Sequence, residues 1–158
     1  MKKFNLIYII IFLIGIQFDV FSFNEVSFVS PQKHKNGKWG YVNEHGKYII
    51  SPKFEEAGDF IEGLARIRVH LKYGFINEKG KPKIRPQFDN ARDFSEGMAA
   101  VMVYNLDNQP VWGYIDITGH FVIKPQYGEA SDFSEGKALV NRDNTIFYID
   151  RCGDIISI

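Results

Sequence analysis

The sequence of 158 residues carries 19 basic and 19 acidic side chains, 15% aromatic residues and a single cysteine. A chain of this length buries a hydrophobic core without covalent staples, and one cysteine excludes an internal disulfide framework. Zero formal net charge argues against a nucleic-acid-binding protein and identifies no partner by itself.

The N-terminal segment has the pattern of a secretory signal peptide. The chain starts with a methionine and two lysines, and residues 6–18 are uncharged and almost wholly apolar. This run is shorter than the roughly 20 residues that span a bilayer, and the small residues Val20 and Ser22 fit a cleavage site. We predict a signal peptide over 1–22, a linker over 23–35 and an exported protein (periplasmic, cell-surface or secreted). An uncleaved N-terminal membrane anchor is the alternative.

The rest of the chain repeats one unit of about 34 residues, three times in full and once in part. The spacing between the starts of successive units is 34, 39 and 34 residues, and an insertion around 105–110 explains the longer value. Such self-similarity is typical of stacked repeat architectures. We predict units at about residues 36–69, 70–103, 109–142 and 143–158.

The pattern inside each unit favours strands. Glycine and proline interrupt it every few residues, and the stretches between them are rich in aromatic and β-branched residues. In the first unit we predict strands over 39–43, 47–50 (ended by a proline) and 64–70, with a single helical turn or compact loop over 54–60. The third strand alternates apolar and polar residues, and we expect it to pair with the first strand of the next unit.

These residues resemble the WG repeat family, also called KWG repeats. The string W-G-Y-I-D, then G, then I-x-P-x-F, then A-x-x-F-S-E-G-x-A recurs in register over roughly residues 36–156, with departures at Tyr73, Pro82 and Phe147. The resemblance implies an all-β fold of tandem repeats, each of about three short antiparallel strands. It brings no catalytic residues. Three and a half units suit either an open twisted solenoid or a propeller-like stack, with the partial last unit as a cap.

Three acidic pairs occupy the same place in successive units: Asp59 and Glu62, Asp93 and Glu96, Asp132 and Glu135. One glycosidase site needs one such pair. Three identical pairs therefore indicate a structural role, in which the glutamate satisfies turn amides. The four histidines are scattered without metal-ligand spacing. We predict no catalytic residue, cofactor or metal; an enzyme acting on envelope glycans or peptides is the alternative.

The aromatic residue at the start of each full unit has two interpretations. Trp39, Tyr73 and Trp112 are expected to pack between units, because a core needs the positions that recur. The alternative is that their faces form a groove for sugar rings.

The feature that does not repeat is a basic segment between residues 66 and 85. The hypothetical partner-binding residues are Arg66, Arg68, His70, Lys81, Lys83 and Arg85. Up to Arg92 the predicted mature chain has 13 basic and 8 acidic residues, and from Asp93 it has 4 and 10. We predict an envelope binding or scaffold module whose partner is a protein, an anionic polysaccharide or a second copy bound head to tail. A self-assembling surface protein and a merely solvated strand face are the alternatives.

Overall fold

The computed structural model describes residues 29–157, and within this range it contains fifteen β-strands and no helix. The all-β prediction is confirmed. The predicted signal peptide, residues 1–22, lies outside the described residues. No helix long and apolar enough to cross a membrane occurs between residues 29 and 157.

The strands form four small antiparallel sheets, and within each sheet their spatial order follows the chain. The first sheet contains β1 (Ser30–Lys33), β2 (Trp39–Val42) and β3 (Tyr48–Phe54). The second contains β4 (Glu56–Ile61), β5 (Leu64–Val69), β6 (Lys72–Asn77) and β7 (Pro82–Phe88). The third contains β8 (Asn90–Ala91), β9 (Met98–Tyr104), β10 (Pro110–Asp116) and β11 (Phe121–Tyr127). The fourth contains β12 (Glu129–Ala130), β13 (Lys137–Arg142), β14 (Thr145–Asp150) and β15 (Ile155–Ser157).

Every sheet after the first joins two repeats. Its first two strands come from one unit and its last two from the next, through the antiparallel pairs β5 with β6, β9 with β10 and β13 with β14. The predicted pairing across unit boundaries is confirmed. Because these ladders cross the boundary, two neighbouring units cannot separate without losing backbone hydrogen bonds. In the first sheet β1, which lies inside the predicted linker 23–35, supplies the strand that a preceding unit supplies elsewhere.

The structure corrects two details of the predicted strands. Strand β3 does not end at Pro52 but continues to Phe54, because β3 is the outer strand of its sheet, where a missing N–H costs no ladder bond. The stretch 54–60 contains no helical turn. In the first unit most of it belongs to strand β4, and in the next two units the strand shortens to the two residues of β8 and β12.

The core lies between successive sheets and is filled by the recurring residues. Tyr114 is fully buried, and its ring centroid is 4.8 Å from that of Phe133 in the same unit. Phe75 and Phe94 repeat this pair at 4.7 Å. The A-x-x-F segment of each unit therefore covers the central aromatic residue of that unit's first strand. Burial of an aromatic side chain of this size supplies about 1.5–3 kcal/mol, which explains why these positions recur.

Candidate binding site

The six predicted partner-binding residues fall into two groups. Arg66 and Arg68 are two residues apart on β5 and lie over one aromatic ring: their Cζ atoms are 5.5 and 5.8 Å from the centroid of Tyr73. His70 follows β5 in an exposed turn. The remaining three, Lys81, Lys83 and Arg85, lie exposed on or just before the outer strand β7.

Arg66 and Arg68 are neutralised by acidic side chains. Arg66 Nε donates to Asp93 Oδ1 at 3.1 Å. Arg68 Nη2 lies 3.0 Å from Glu56 Oε1, and its Nε lies 3.6 Å from Glu55 Oε2. Both arginines are therefore paired with carboxylates inside the protein, which lowers the free positive charge of the predicted basic surface at β5.

The charge of Glu55 is stabilised mainly by backbone donors. The amide of Leu71, then that of His70, donate to its carboxylate at 3.1 Å, and together with Lys38 and Arg68 they lower the pKa of Glu55 despite partial desolvation. The carboxylate thereby holds the turn between β5 and β6, where both residues have positive φ of 49° and 61°. This turn sets the ladder that joins the first unit to the second.

Lys81, Lys83 and Arg85, here called the β7 basic edge, have a different environment. Over the described range 29–157, none of the three takes part in an ion pair. Lys83 and Arg85 lie on β7, the outer strand of the second sheet, and Lys81 directly precedes it. Charged residues on such a strand also prevent edge-to-edge pairing with another sheet, so the β7 basic edge has two candidate roles, protection and binding.

A cleft of about 340 Å³ opens on the face that carries Arg66. Its walls come from three successive units and include Arg66, Asn90, Arg92, Asp93, Trp112 and Asp132. We call it the Arg92 cleft. It draws together residues more than sixty positions apart in the sequence because neighbouring sheets bring equivalent positions of successive units side by side.

Two further recesses continue the Arg92 cleft in opposite directions. One, of about 200 Å³, shares Arg66 and reaches Trp39 and Tyr73. The other, of about 460 Å³, shares Arg92 and Trp112 and reaches Ile146. The recesses therefore follow the row of start positions of the units. Trp39, Tyr73 and Trp112 each pack against the core with part of the side chain and line a recess with another part, which combines the two interpretations of these residues.

The two arginines of the Arg92 cleft have different partners. Asp93 fixes Arg66, while Arg92 Cζ lies 5.7 Å from the ring centroid of Trp112, and Arg92 makes no ion pair within residues 29–157. Loss of solvent around its carboxyl raises the pKa of Asp132; Arg92 opposes this shift, Asp93 adds to it and Arg66 opposes it. The cleft thus combines two guanidinium groups, two carboxyls and an indole.

The sequence interpretation missed Arg92, although a signal was available. In register, Arg92 stands where the other full units have Gly58 and Ser131, and Arg66 stands where they have Ala100 and Leu139. The repeat fold therefore requires neither arginine. A comparison of the units position by position would have identified both.

In the repeated acidic pairs, the glutamates and the aspartates have different environments. The carboxylates of Glu62 and Glu96 accept hydrogen bonds of 2.9 Å from the backbone N–H groups of Gly97 and Gly136 in the following units. The predicted role in satisfying turn amides is confirmed for these two glutamates, and the amide belongs to the next unit. The aspartates of the second and third pairs instead line the Arg92 cleft. In the described part of the chain no group of three His, Cys, Asp or Glu side chains could hold a metal ion.

Comparison with known proteins gives one match. The family model described as "WG containing repeat" matches three segments that together span more than half of the chain: residues 39–70, 73–106 and 112–145. No curated protein and no solved structure matches the chain.

Proposed function

Because the chain belongs to the WG-repeat family, we propose that its repeats form a scaffold that binds an anionic or protein partner at the cell envelope. The recurring residues build the fold, since they fill the core, close the turns and join successive units. The residues that differ between units are the ones left to recognise a partner.

The β7 basic edge is the observation that carries the proposal. Lys83 and Arg85 stand where the first unit has Ile49 and Ser51 and where the third has Val122 and Lys124. The repeat fold therefore does not demand a basic strand at this place. Exposed cations without internal partners attract an anionic surface and raise the rate of association with it.

The expected location follows from residues 1–22. A positive start followed by a short apolar run directs export, which would place the scaffold in the periplasm, at the cell surface or outside the cell. Retention by an uncleaved N-terminal segment would keep the same repeats at the membrane surface.

The proposed arrangement of the four sheets is an open twisted stack, with a closed propeller-like ring as the alternative. Support comes from the last sheet: Tyr148 is 38% exposed, whereas Tyr114 at the equivalent place is fully buried. Ile146 is also exposed at 56%. In a closed ring the first sheet would cover the face of the last sheet that carries Tyr148 and Ile146. Inside the stack, the following unit covers the equivalent face of each earlier sheet. The same open face makes head-to-tail self-association a second candidate.

A pair of triple variants tests the proposal. Lys81→Ser, Lys83→Ser and Arg85→Ser remove the β7 basic edge, and Lys47→Ser, Lys53→Ser and Lys124→Ser remove three exposed cations from other units. On immobilised dextran sulfate, a polyanion, the first triple should elute at clearly lower salt than the wild type, and the second should elute close to it. Equal shifts for both triples would refute a specific surface. Sedimentation of the same proteins measures self-association, and release of sugar from envelope glycans would instead favour the enzyme alternative.

A further inference from the structure

Two arginines that break the repeat meet in one cleft. Arg66 belongs to the first unit and Arg92 to the second, and both line the Arg92 cleft. The equivalent residues elsewhere are small or apolar, so the repeat pattern requires neither guanidinium. Their convergence on one recess makes this recess the candidate for a shared ligand.

Both guanidinium groups are held in place before any ligand arrives. Arg66 uses Nε to bind Asp93, and among residues 29–157 its two terminal amino groups make no hydrogen bond. Arg92 lies over the indole of Trp112, and a cation–π contact uses the π-face of the guanidinium and leaves its N–H donors for other groups. Such preorganisation lowers the entropy that binding an oxyanion would otherwise cost.

The balance of charge limits what the oxyanion can be. The cleft is lined by Arg66, Arg92, Asp93 and Asp132, whose formal charges sum to zero. A phosphate or sulfate polyanion would meet two carboxylates as well as two cations. A single carboxylate between the arginines, on a molecule that also offers hydroxyl donors to the aspartates, satisfies every group.

The remaining walls fit a sugar ring. Trp112 is partly buried at the edge of the core, and indoles pack against the apolar faces of rings. A volume of about 340 Å³ lies at the low end of the roughly 300–1,000 Å³ usual for ligand sites, which suits one ring. The recess of about 460 Å³ that shares Arg92 and Trp112 has room for the adjoining sugar of a chain.

We propose that the Arg92 cleft binds a carboxylated sugar unit of an oligosaccharide, with its carboxylate on Arg66 and Arg92 and its hydroxyls on Asp93, Asp132 and Asn90. This site deepens the proposed binding function by naming a ligand class, and it is separate from the β7 basic edge. Each of the two sites is therefore tested by its own variants.

Calorimetric titration of the purified protein with trigalacturonate tests the site. The variants place residues from other units in the cleft: Arg92→Ser, as at Ser131, and Arg66→Ala, as at Ala100. Each should weaken binding at least tenfold, because a charge-assisted hydrogen bond is lost. Arg85→Ser, an equal loss of charge on the β7 basic edge, should leave this affinity unchanged. Conversely, Arg92→Ser should leave elution from dextran sulfate unchanged.

Two ligand controls separate sugars from other anions. Galactotriose has the same ring shape without carboxylates and should bind at least tenfold more weakly than trigalacturonate. A dipeptide offers a carboxylate and an ammonium group, and tighter binding of the dipeptide would overturn the proposal in favour of a peptide site. Equal binding of the neutral sugar, no binding of trigalacturonate, or full affinity in Arg92→Ser would also overturn it. Should Arg92→Ser fail to fold, Arg92→Lys keeps the charge and should still lose several-fold affinity, because lysine cannot bind a carboxylate bidentately.

Discussion

The glycine that follows the first aromatic residue of each full unit is predicted to be the position least tolerant of a side chain, and Gly113→Ala tests this. A Cβ at Gly113 would lie 2.6 Å from Ile123 O, 2.7 Å from Pro125 N and 2.9 Å from the carbonyl carbon of Lys124. All three atoms belong to the backbone of β11, which crosses over the glycine where the register between β10 and β11 shifts. The crossing strand would have to move, since no flexible side-chain end can yield.

The cost follows from these distances. Ordinary contacts of a Cβ start at 3.4 Å, so each of the three backbone atoms must retreat by about half an ångström or more. Overpacking of a close-packed interior costs about 1–3 kcal/mol and occasionally more. Because three backbone contacts are affected together, we expect Gly113→Ala to lower the free energy of unfolding by about 3 kcal/mol. With a urea slope of about 2 kcal/mol per molar, ordinary for a small domain, the unfolding midpoint should fall by about 1.5 M.

Urea unfolding followed by tryptophan fluorescence measures the effect. Gly128→Ala is the matched control, because its Cβ would meet only Asn141 O at 3.8 Å, and it should change stability by no more than about 0.5 kcal/mol. In the last unit Phe147 occupies the equivalent position and is buried, so Phe147→Gly should cost about 3–5 kcal/mol. A Gly113→Ala midpoint close to the wild-type value, or an equal fall in Gly128→Ala, would refute the steric reasoning.

Three further predictions follow from side-chain contacts. Glu96→Gln should lower the free energy of unfolding by about 1 kcal/mol, because the carboxylate of Glu96 accepts a hydrogen bond from Gly136 N. Glu135→Gln is the control and should cause no such loss, since the Glu135 side chain makes no hydrogen bond within residues 29–157. Equal losses would contradict the inter-unit role of Glu96. Burial raises the pKa of Tyr41 above 10.0, and the nearby aspartates add to this shift. Burial also raises the pKa of Tyr114 above 10.0, and Tyr127 adds to that shift. Stability should therefore fall as pH rises above 10, and Tyr114→Phe should remove part of the phenolate absorbance that appears only on alkaline unfolding. The raised pKa of Asp132 means that the folded state holds its proton more tightly than the unfolded state, so stability falls as pH rises from 3.8 through the folded pKa. Asp132→Asn should be the more stable protein at neutral pH, with the difference vanishing below pH 3.8; a less stable Asp132→Asn at neutral pH would contradict the sign.

Several strands, β5 among them, could be predicted because they depend on local features. The alternation in 64–70 anticipated β5 (Leu64–Val69) almost residue for residue, since one face must be buried and the other wet. The predicted end at Pro52 was wrong because a proline is harmless on an outer strand, and a single sequence does not say which strand is outermost.

The Arg92 cleft could not be predicted in the same way. It is built from three units, and its walls depend on how neighbouring sheets lie against each other rather than on any local pattern. The basic residues at 66–85 suggested one surface, but the ion pairs of Arg66 and Arg68 separate them from the β7 basic edge. This pairing depends on Glu56, which lies on the neighbouring strand β4, and on Asp93, which lies between β8 and β9. Neither carboxylate belongs to the basic segment 66–85 that the sequence displays.

The proposed sugar site places ligand recognition where the units differ, in the Arg92 cleft. Proton–nitrogen correlation spectra, recorded while trigalacturonate is added, test it most directly through the indole N–H of Trp112 and the Nε–H groups of Arg66 and Arg92. The account predicts that these three signals shift together and saturate, and that galactotriose leaves them in place. Shifts confined to the backbone of Lys81, Lys83 and Arg85, with the indole signal of Trp112 unmoved at saturation, would contradict it.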